Sequence, residues 1–384
     1  MAALLSTAGW LTACRRVLGD AWLATPGGVL EPEDARRLAS ATDLAPPPGR
    51  SRFTRVVPTV AMTAFKDARQ MLRGGAFKVS DDGPWRGHHL EFVWQRHELF
   101  HTAGVDFASR LGVPSVVFAP ATPVWEARRW GVSRPGWGAL AERFGEQPTL
   151  RRASLVACGS DEVAEQVQRM GVSPDSILVT PTGVDLEQVD GHEGRAVRSA
   201  LGLGDGFVLG WMGSFRPFHA VHRLVEAVAG LNDVTLLMVG DGPERPAVEA
   251  LAGEVGVRAV FTGTVPHTKL TAHLAAMDAA VVVAPDDGSF HYSPLKLAEY
   301  LAAGLPVVAP DVPTISSRLD HGVHALLVEP TDRLALSSAI ARLRDDPALR
   351  ADLGKAARVE VESSWSWDFQ VRRVRDRLER IGGA

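Results

Sequence analysis

Cysteine is scarce in this chain of 384 residues: there are two, Cys14 and Cys158. They lie far apart without a CxxC or ligand-like spacing, which excludes a disulfide scaffold and a thiolate metal site. Both read as reduced, buried thiols of a cytoplasmic protein. An excess of positive charge is also missing, the formal net charge being -4 at pH 7. That removes any general attraction to nucleic acid or to an anionic membrane, while leaving room for peripheral membrane contact. No apolar run reaches the roughly eighteen residues needed to span a bilayer. Near the start, Leu11-Thr12-Ala13-Cys14 looks like a lipoprotein cleavage box, yet no basic residue precedes its apolar part, Thr7 and Gly9 interrupt it, and Arg15-Arg16 follow. An ordinary helix with a stripe of Leu4, Leu5, Leu11, Cys14 and Leu18, leading into a short strand over Ala21 to Thr25, is the better reading.

With 46% hydrophobic residues, the chain is globular and longer than one core usually fills, so two domains are the default. Apolar runs and helical patterns alternate along most of it. A helix over Thr59 to Leu72, strands over Leu90 to Arg96 and Pro114 to Ala119, and a helix over His101 to Leu111 are predicted in the first half. A long connection follows in which Trp125, Trp130 and Trp137 interleave with Glu126, Arg128, Arg129 and Arg134. Seven of the ten tryptophans precede residue 140; a stacking surface for a ring-bearing acceptor and ordinary core packing both account for them. Strands over Leu155 to Cys158 and Ile177 to Thr180 then flank a helix from Asp161. The polar, Gly-rich stretch Glu187 to Gly206 reads as a linker with a small helix. A second series of strands, Phe207 to Met212, Val234 to Val239 and Ala259 to Phe261, alternates with helices over Arg245 to Val255 and Thr268 to Met277. A strand over His324 to Glu329 and three closing helices complete an α/β pattern of two doubly wound, Rossmann-like domains.

The most informative stretch is Asp286 to Pro310. The apolar run Ala279 to Pro285 ends in a polar loop, a helix opens at Pro294 and stops at Gly304, and a strand follows over Pro306 to Ala309. Ser293 suits the N-cap, Pro294 the first helical position and Gly304 the left-handed stop. Free amides at such a helix start, just past the carboxyl end of a strand, suit a phosphate. Lys296, Glu299 and Tyr300 share one face, with Leu295, Ala298, Leu301 and Ala302 on the other. Equally, the helix could simply cover the sheet, with Lys296 and Glu299 as a surface pair worth about 0.2–0.5 kcal/mol. Gly213-Ser214-Phe215-Arg216-Pro217-Phe218-His219 has the same two-sided character. It is either a capped strand-to-helix turn, or a close backbone approach to a diphosphate with Arg216 as a fork of donors.

Several motifs resemble the retaining GT-B glycosyltransferases of the large family-four group. Glu299 before Tyr-Leu-Ala-Ala-Gly matches the family's ribose-binding Glu. Thr180-Pro-Thr-Gly-Val-Asp185 matches the turn that closes the first domain, and Gly240 to Glu244 matches the Gly-x-Gly-Pro-Glu turn, largely structural in the family, where Pro243 opens a helix and the glycines permit the tight turn. Gly263 to Pro266 resembles the segment whose backbone reads the base. Arg96, Leu99 and Phe100 match an Arg and Leu-Phe turn in the first domain. Departures accompany these matches: Ser214 stands for the usual Arg, His219 for the Lys, and His291 for the first Glu of the Glu-x7-Glu pattern. The family's first strand is not visible either. The chain's true start lies upstream, or Ala3 to Thr7 is a vestigial strand with Ala8-Gly9 as its turn.

The resemblance implies GT-B architecture with two Rossmann-like domains facing an interdomain cleft. An acceptor domain over 1–186 is expected, with the final helix, 368–382, packing back on it. A linker over 187–206 leads to a donor domain over 207–367. It implies transfer of a hexosyl unit from a nucleoside-diphosphate sugar to a hydroxyl acceptor, with retention. Arg216 and Lys296 would be catalytic. Gly213, Ser214, His219, Val265, Gly288, Ser289, Phe290, His291, Ser293, Leu295 and Glu299 would bind the donor. On the acceptor side the candidates are Arg96, His97 and Glu126, with Glu98 and His101 nearby. Asp286-Asp287 would suggest a metal, but adjacent loop carboxylates are usually solvated, and two cations with a helix dipole suffice for a diphosphate. No metal and no cofactor are expected. A nucleotide-sugar epimerase of the same fold, or a noncatalytic nucleotide-sugar-binding protein, are the alternatives.

Overall fold

The computed structural model describes residues 2–43, 59–129, 131–188, 194–285 and 295–382. The chain divides into two compact units. One is Gly183–Trp367 with the described residues of Ser40–Leu44; the other comprises the described residues of Ala2–Ala39, Ala45–Thr182 and Asp368–Ala384. Among the described residues no helix is long and apolar enough to cross a membrane.

The amino-terminal unit opens with helix α1 (Ala2–Leu18), so the vestigial strand at Ala3 to Thr7 is overturned. The reason is visible in the packing: Ala8, Trp10, Leu11, Ala13 and Cys14 are all buried along one helical stripe, and the Trp10 ring stacks on Trp94 at 3.7 Å. A short antiparallel hairpin, β1 (Leu23–Thr25) with β2 (Gly28–Leu30), precedes α2 (Pro32–Asp43) and α3 (Thr59–Gly74). Next come β3 (Val93–Arg96), α4 (Ala103–Leu111) and β4 (Ser115–Ala119). The long Trp-rich connection folds into α5 (Pro123–Arg129), α6 (Gly138–Ala141), a π-helical turn (Glu142–Glu146) and α7 (Gln147–Arg152). These pieces are too short to show an apolar period. The unit continues with β5 (Leu155–Cys158), α8 (Asp161–Arg169) and β6 (Ile177–Val179). Strands β3-β4-β5-β6 form a parallel sheet in that order. Trp137 Nε1 donates to Asp67, which also takes both arms of Arg134. Trp130 lies outside the described residues.

The carboxyl-terminal unit begins at Gly183 and contains α9 (Arg195–Leu201), held by Arg198 through Asp278 at 2.7 Å and the Ala276 carbonyl at 2.9 Å. Its elements then run β7 (Phe207–Met212), α10 (Val221–Val228), β8 (Val234–Val239), α11 (Arg245–Glu254), β9 (Ala259–Gly263), α12 (His267–Leu274), β10 (Ala279–Val281), α13 (Leu295–Ala302), β11 (Val307–Pro310), α14 (Pro313–Ser316), β12 (Leu326–Val328), α15 (Arg333–Asp345) and α16 (Pro347–Ser364). The last helix, α17 (Trp367–Gly382), lies in the amino-terminal unit from Asp368 on. The six strands are ordered β12-β11-β10-β7-β8-β9 and every pair is parallel. Every residue of β7 and β8 is buried, as expected of central parallel strands covered on both faces. The chain winds one way from β7 to β9, then crosses back to β10. That reversal puts a topological switch between β7 and β10, where open α/β sheets hold ligands.

The predicted face of α13 holds: Lys296 and Tyr300 both reach the end of β7, and Tyr300 is fully buried. Its hydroxyl accepts the Met212 amide hydrogen at 2.7 Å, satisfying the last donor of β7 where the ladder ends. Replacing Tyr300 with Phe leaves that amide buried and unpaired, a cost of about 1–3 kcal/mol. Urea unfolding should show the midpoint falling by the corresponding amount with an unchanged slope.

Candidate functional site

The site in the carboxyl-terminal unit is built on the end of β7. Past Met212 the backbone turns at Gly213 and Ser214, then enters Phe215 with φ 41, an uncommon angle for a residue with a side chain. The Phe215 ring holds it there: fully buried, it meets the Trp211 ring edge-on at 4.7 Å, while its carbonyl accepts from the Glu244 amide at 3.0 Å. The neighbouring turn after β8 was predicted to use its glycines for tightness alone. The structure supplies a further reason. A Cβ on Gly240 would lie 2.0 Å from the Gly213 carbonyl oxygen, and one on Gly242 1.7 Å from that of Ser214. The two loops are in backbone contact, so the Gly213 turn is shaped by the Gly240-Asp241-Gly242 turn beneath it.

Into this frame α13 brings Lys296. Its Nζ lies 4.4 Å from the centroid of the Trp211 ring and 3.4 Å from Nδ1 of His219, while Nε2 of His219 is 3.4 Å from Ser214 Oγ. A Cβ on Gly213 would come within 3.0 Å of the same Nζ. Burial, reinforced by Lys296 and Arg216, pushes the His219 imidazole down to about 3. It is therefore neutral at physiological pH, accepts from the ammonium through Nδ1 and donates from Nε2 to Ser214. Desolvation also lowers Lys296 to about 7, against the pull of Glu299, and raises Glu299 to about 7 against the pull of Lys296. Glu299 faces His267 as well, Oε1 to Nε2 being 3.8 Å. Arg216 is exposed on the same loop. The result is a partly desolvated ammonium on an aromatic face with the exposed Arg216 on the loop beside it, an arrangement that favours an anion.

The predicted residues thus separate. Gly213, Ser214, His219 and Lys296 meet; Glu299 is next to them, paired toward His267; Val265 packs its side chain against the core; Leu295 is half-buried at the start of α13. Gly288, Ser289, Phe290, His291 and Ser293, like Asp286 and Asp287, lie outside the described residues. Two participants escaped the sequence reading. Trp211 was one more apolar residue of a strand, and His267 one more polar residue after Pro266. Arg223, also unremarked, is buried on α10 and donates to the Ala284 carbonyl at 2.8 Å, which fixes the chain beyond β10.

In the amino-terminal unit, Arg96 ends β3 with its guanidinium 5.9 Å from the centroid of the Phe118 ring. Burial lowers it, and Glu98 and Glu126 oppose that. Glu126, on α5, is raised by burial and drawn back by Arg96. These two candidates are electrostatically coupled. His97 is different: its ring is wholly buried, and Nε2 faces Glu146 Oε2 at 4.0 Å. A cavity of about 720 Å³ in the same unit is lined by Trp10, Trp22, Trp94, Arg96 and Glu98 among others.

A diphosphate placed against Lys296 favours the charged ammonium, so the bound form holds a proton that the free protein, titrating near 7, has lost above that pH. Ionisation of Glu299 over the same range acts in the same direction by adding negative charge. Pyrophosphate affinity should therefore fall as pH rises from 6 to 9, approaching tenfold per unit above 7, with proton uptake on binding near pH 8. Calorimetry in buffers of different ionisation enthalpy measures this, and Lys296→Met should reduce the uptake to the part that Glu299 contributes.

Comparison with known proteins bears on the same residues. The family described as glycosyl transferases group 1 matches residues 206–346. A D-inositol 3-phosphate glycosyltransferase of Kribbella flavida is 32% identical over 247 residues, covering 60% of this chain and 57% of that protein. The chain thus spans little more than half the length of this relative. A protein of the same description from Frankia alni is 30% identical over 283 residues, covering 65% of this chain and 68% of its own. Among solved structures, Anabaena HepE in complex with UDP-glucose superposes with a TM-score of 0.60 at 18% identity, covering 76% of this chain and 79% of that one. The fold is GT-B, and the chain belongs to the group 1 glycosyl transferases.

Proposed function

We propose that this protein is a glycosyltransferase that moves a hexosyl unit from a nucleoside-diphosphate sugar to a hydroxyl acceptor with retention of configuration. The observation that carries the reading is the Lys296 ammonium held on Trp211 and against neutral His219, beside the Gly213 turn at the end of β7. Such a cation, partly stripped of water, suits the charge that develops on a departing diphosphate. Arg216 adds a planar fork of donors to the same oxygens. Glu299, ordered through His267 at 3.8 Å, takes the ribose hydroxyls. These two cations make a metal unnecessary for neutralising the leaving group.

The step balances without an enzymic nucleophile. The bond from the anomeric carbon to the phosphate oxygen breaks, the acceptor oxygen bonds to that carbon on the same face, and the acceptor's proton passes to the departing phosphate oxygen. Arg96 and Glu126 serve the acceptor. The description of the relatives makes a polyhydroxylated ring alcohol or its phosphate the first acceptor class to test, and that of the Anabaena complex makes uridine the first base.

A panel of UDP-, GDP-, ADP- and dTDP-sugars, read by thermal shift, should single out one base; a donor at 100 times its dissociation constant adds about 2.7 kcal/mol. With that donor, the wild type should release free sugar and nucleoside diphosphate slowly, and transfer once an acceptor is supplied. Lys296→Ala should lose about 2.7–4 kcal/mol of transition-state stabilisation, a rate lower by two to three orders of magnitude. Turnover within twofold of wild type would refute the assignment. A new nucleotide sugar formed without acceptor would reveal an epimerase, and neither product a binding protein.

A further inference from the structure

Glu146 is a carboxylate with no exposure, in a π-helical turn, and carboxylates are rarely buried without a partner that requires them. Its two oxygens reach two separate elements. Oε1 accepts the amide hydrogen of Val124 at 2.7 Å, one of the free donors in the first turn of α5. Oε2 lies 4.0 Å from Nε2 of His97, whose ring is likewise wholly buried and follows directly on Arg96 at the end of β3. Neither Oε2 nor either His97 ring nitrogen has a hydrogen-bond partner among the described residues. The turn itself is pinned to the loop after β3, because Phe100, at φ 62, donates its amide to the Gly145 carbonyl at 2.7 Å. A Cβ on Gly145 would press on the Phe100 and Leu99 side chains at 3.0–3.1 Å, so a larger residue there would push these side chains aside.

We infer that Glu146 is a positioning residue for the acceptor side: from one buried carboxylate it fixes the start of α5, which carries Glu126, relative to the end of β3, which carries Arg96. The inference rests on the acceptor role proposed above for Arg96 and Glu126. Glu146 touches no reacting atom; it acts by holding the Arg96 and Glu126 side chains at a constant separation. The consequence should be felt in acceptor binding rather than in donor binding, since every residue assigned to the donor lies elsewhere in the fold.

Glu146→Ala and Glu146→Gln in the full chain test this. Glutamine keeps an oxygen for the Val124 amide and nearly the same volume; alanine removes both. In the alanine variant, hydrogen exchange at the Val124 amide should accelerate at least tenfold and the acceptor KM should rise at least fivefold, with the donor-induced thermal shift unchanged. Glutamine should restore exchange and KM to within twofold of wild type. If Glu146→Ala does not fold, Glu146→Leu, which keeps an apolar side chain of similar size but no acceptor for the Val124 amide, should raise the acceptor KM alike. Unchanged exchange in the alanine variant, a glutamine variant as impaired as alanine, an unchanged KM in Glu146→Leu, or equal loss of the donor shift would each overturn the inference. Should the wild type transfer no sugar at all, the proposed function falls, while exchange at Val124 in the alanine and glutamine variants still decides whether Glu146 holds α5.

Discussion

An ammonium that has lost much of its water is the constraint around which the carboxyl-terminal unit is arranged. Lys296 rests on the Trp211 ring and against His219, and each of these contacts demands something of the rest. A cation beside an imidazole requires that imidazole to be neutral, and burial accomplishes this by pushing His219 down to about 3. The ring position requires a turn without a side chain, since Gly213 is where a Cβ would collide with both Trp211 and Nζ. The replacement of the family's usual lysine by His219 is then not a simple loss of charge. A second lysine at that place would set a second ammonium against Lys296; a neutral histidine instead accepts from it at 3.4 Å, and under the proposed function Arg216 supplies the other charge.

Backbone contact between loops carries that arrangement into the sheet. The Gly213 and Ser214 carbonyls lie against Gly240 and Gly242, and the Glu244 amide reaches back to Phe215. Tyr300 closes the circuit, because the helix that bears Lys296 also caps the last amide of β7 through the Tyr300 hydroxyl. Lys296 and the turn it faces are thereby referred to the same strand end. Arg223 does the corresponding work for β10, holding the Ala284 carbonyl just before the loop that leads to α13. A displacement of any of these elements would move the ammonium relative to Trp211, and with it the balance between desolvation and cation–π attraction.

How far the sequence could be read follows from what each element needs. Strands β5, β7 and β8 stand at their predicted limits because parallel strands buried on both faces are continuous apolar runs bounded by polar turns. The end of α13 was legible for a similar reason: Gly304 adopts φ 67, the left-handed stop that only glycine takes cheaply. Helical spacing placed Tyr300 with Lys296 correctly, but it could not show that the phenol is buried to take the Met212 amide hydrogen. The helices between Pro123 and Arg152 were invisible since each is too brief for a period to emerge. Glu146 was invisible for a deeper reason: its partners, Val124 and His97, stand 22 and 49 positions earlier, and no local pattern links them.

The same physical rule governs the candidates in both units, each taken by itself. In a parallel sheet all strands deliver their carboxyl ends to one edge, and the residues just beyond those ends are free of the ladder and available for chemistry. Arg96 and His97 occupy that position on β3, and Gly213 to His219 occupy it on β7. The two units solve the resulting electrostatic problem differently. In the carboxyl-terminal unit one cation is desolvated against an aromatic ring and a neutral imidazole, which leaves its charge available to an incoming anion. In the amino-terminal unit Arg96 and Glu126 offset one another, and the buried carboxylate lies a layer deeper, on backbone and histidine. Under the proposed function the first arrangement receives the diphosphate and the second the acceptor hydroxyl, so donor and acceptor are divided by how each unit disposes charged groups at the ends of its strands.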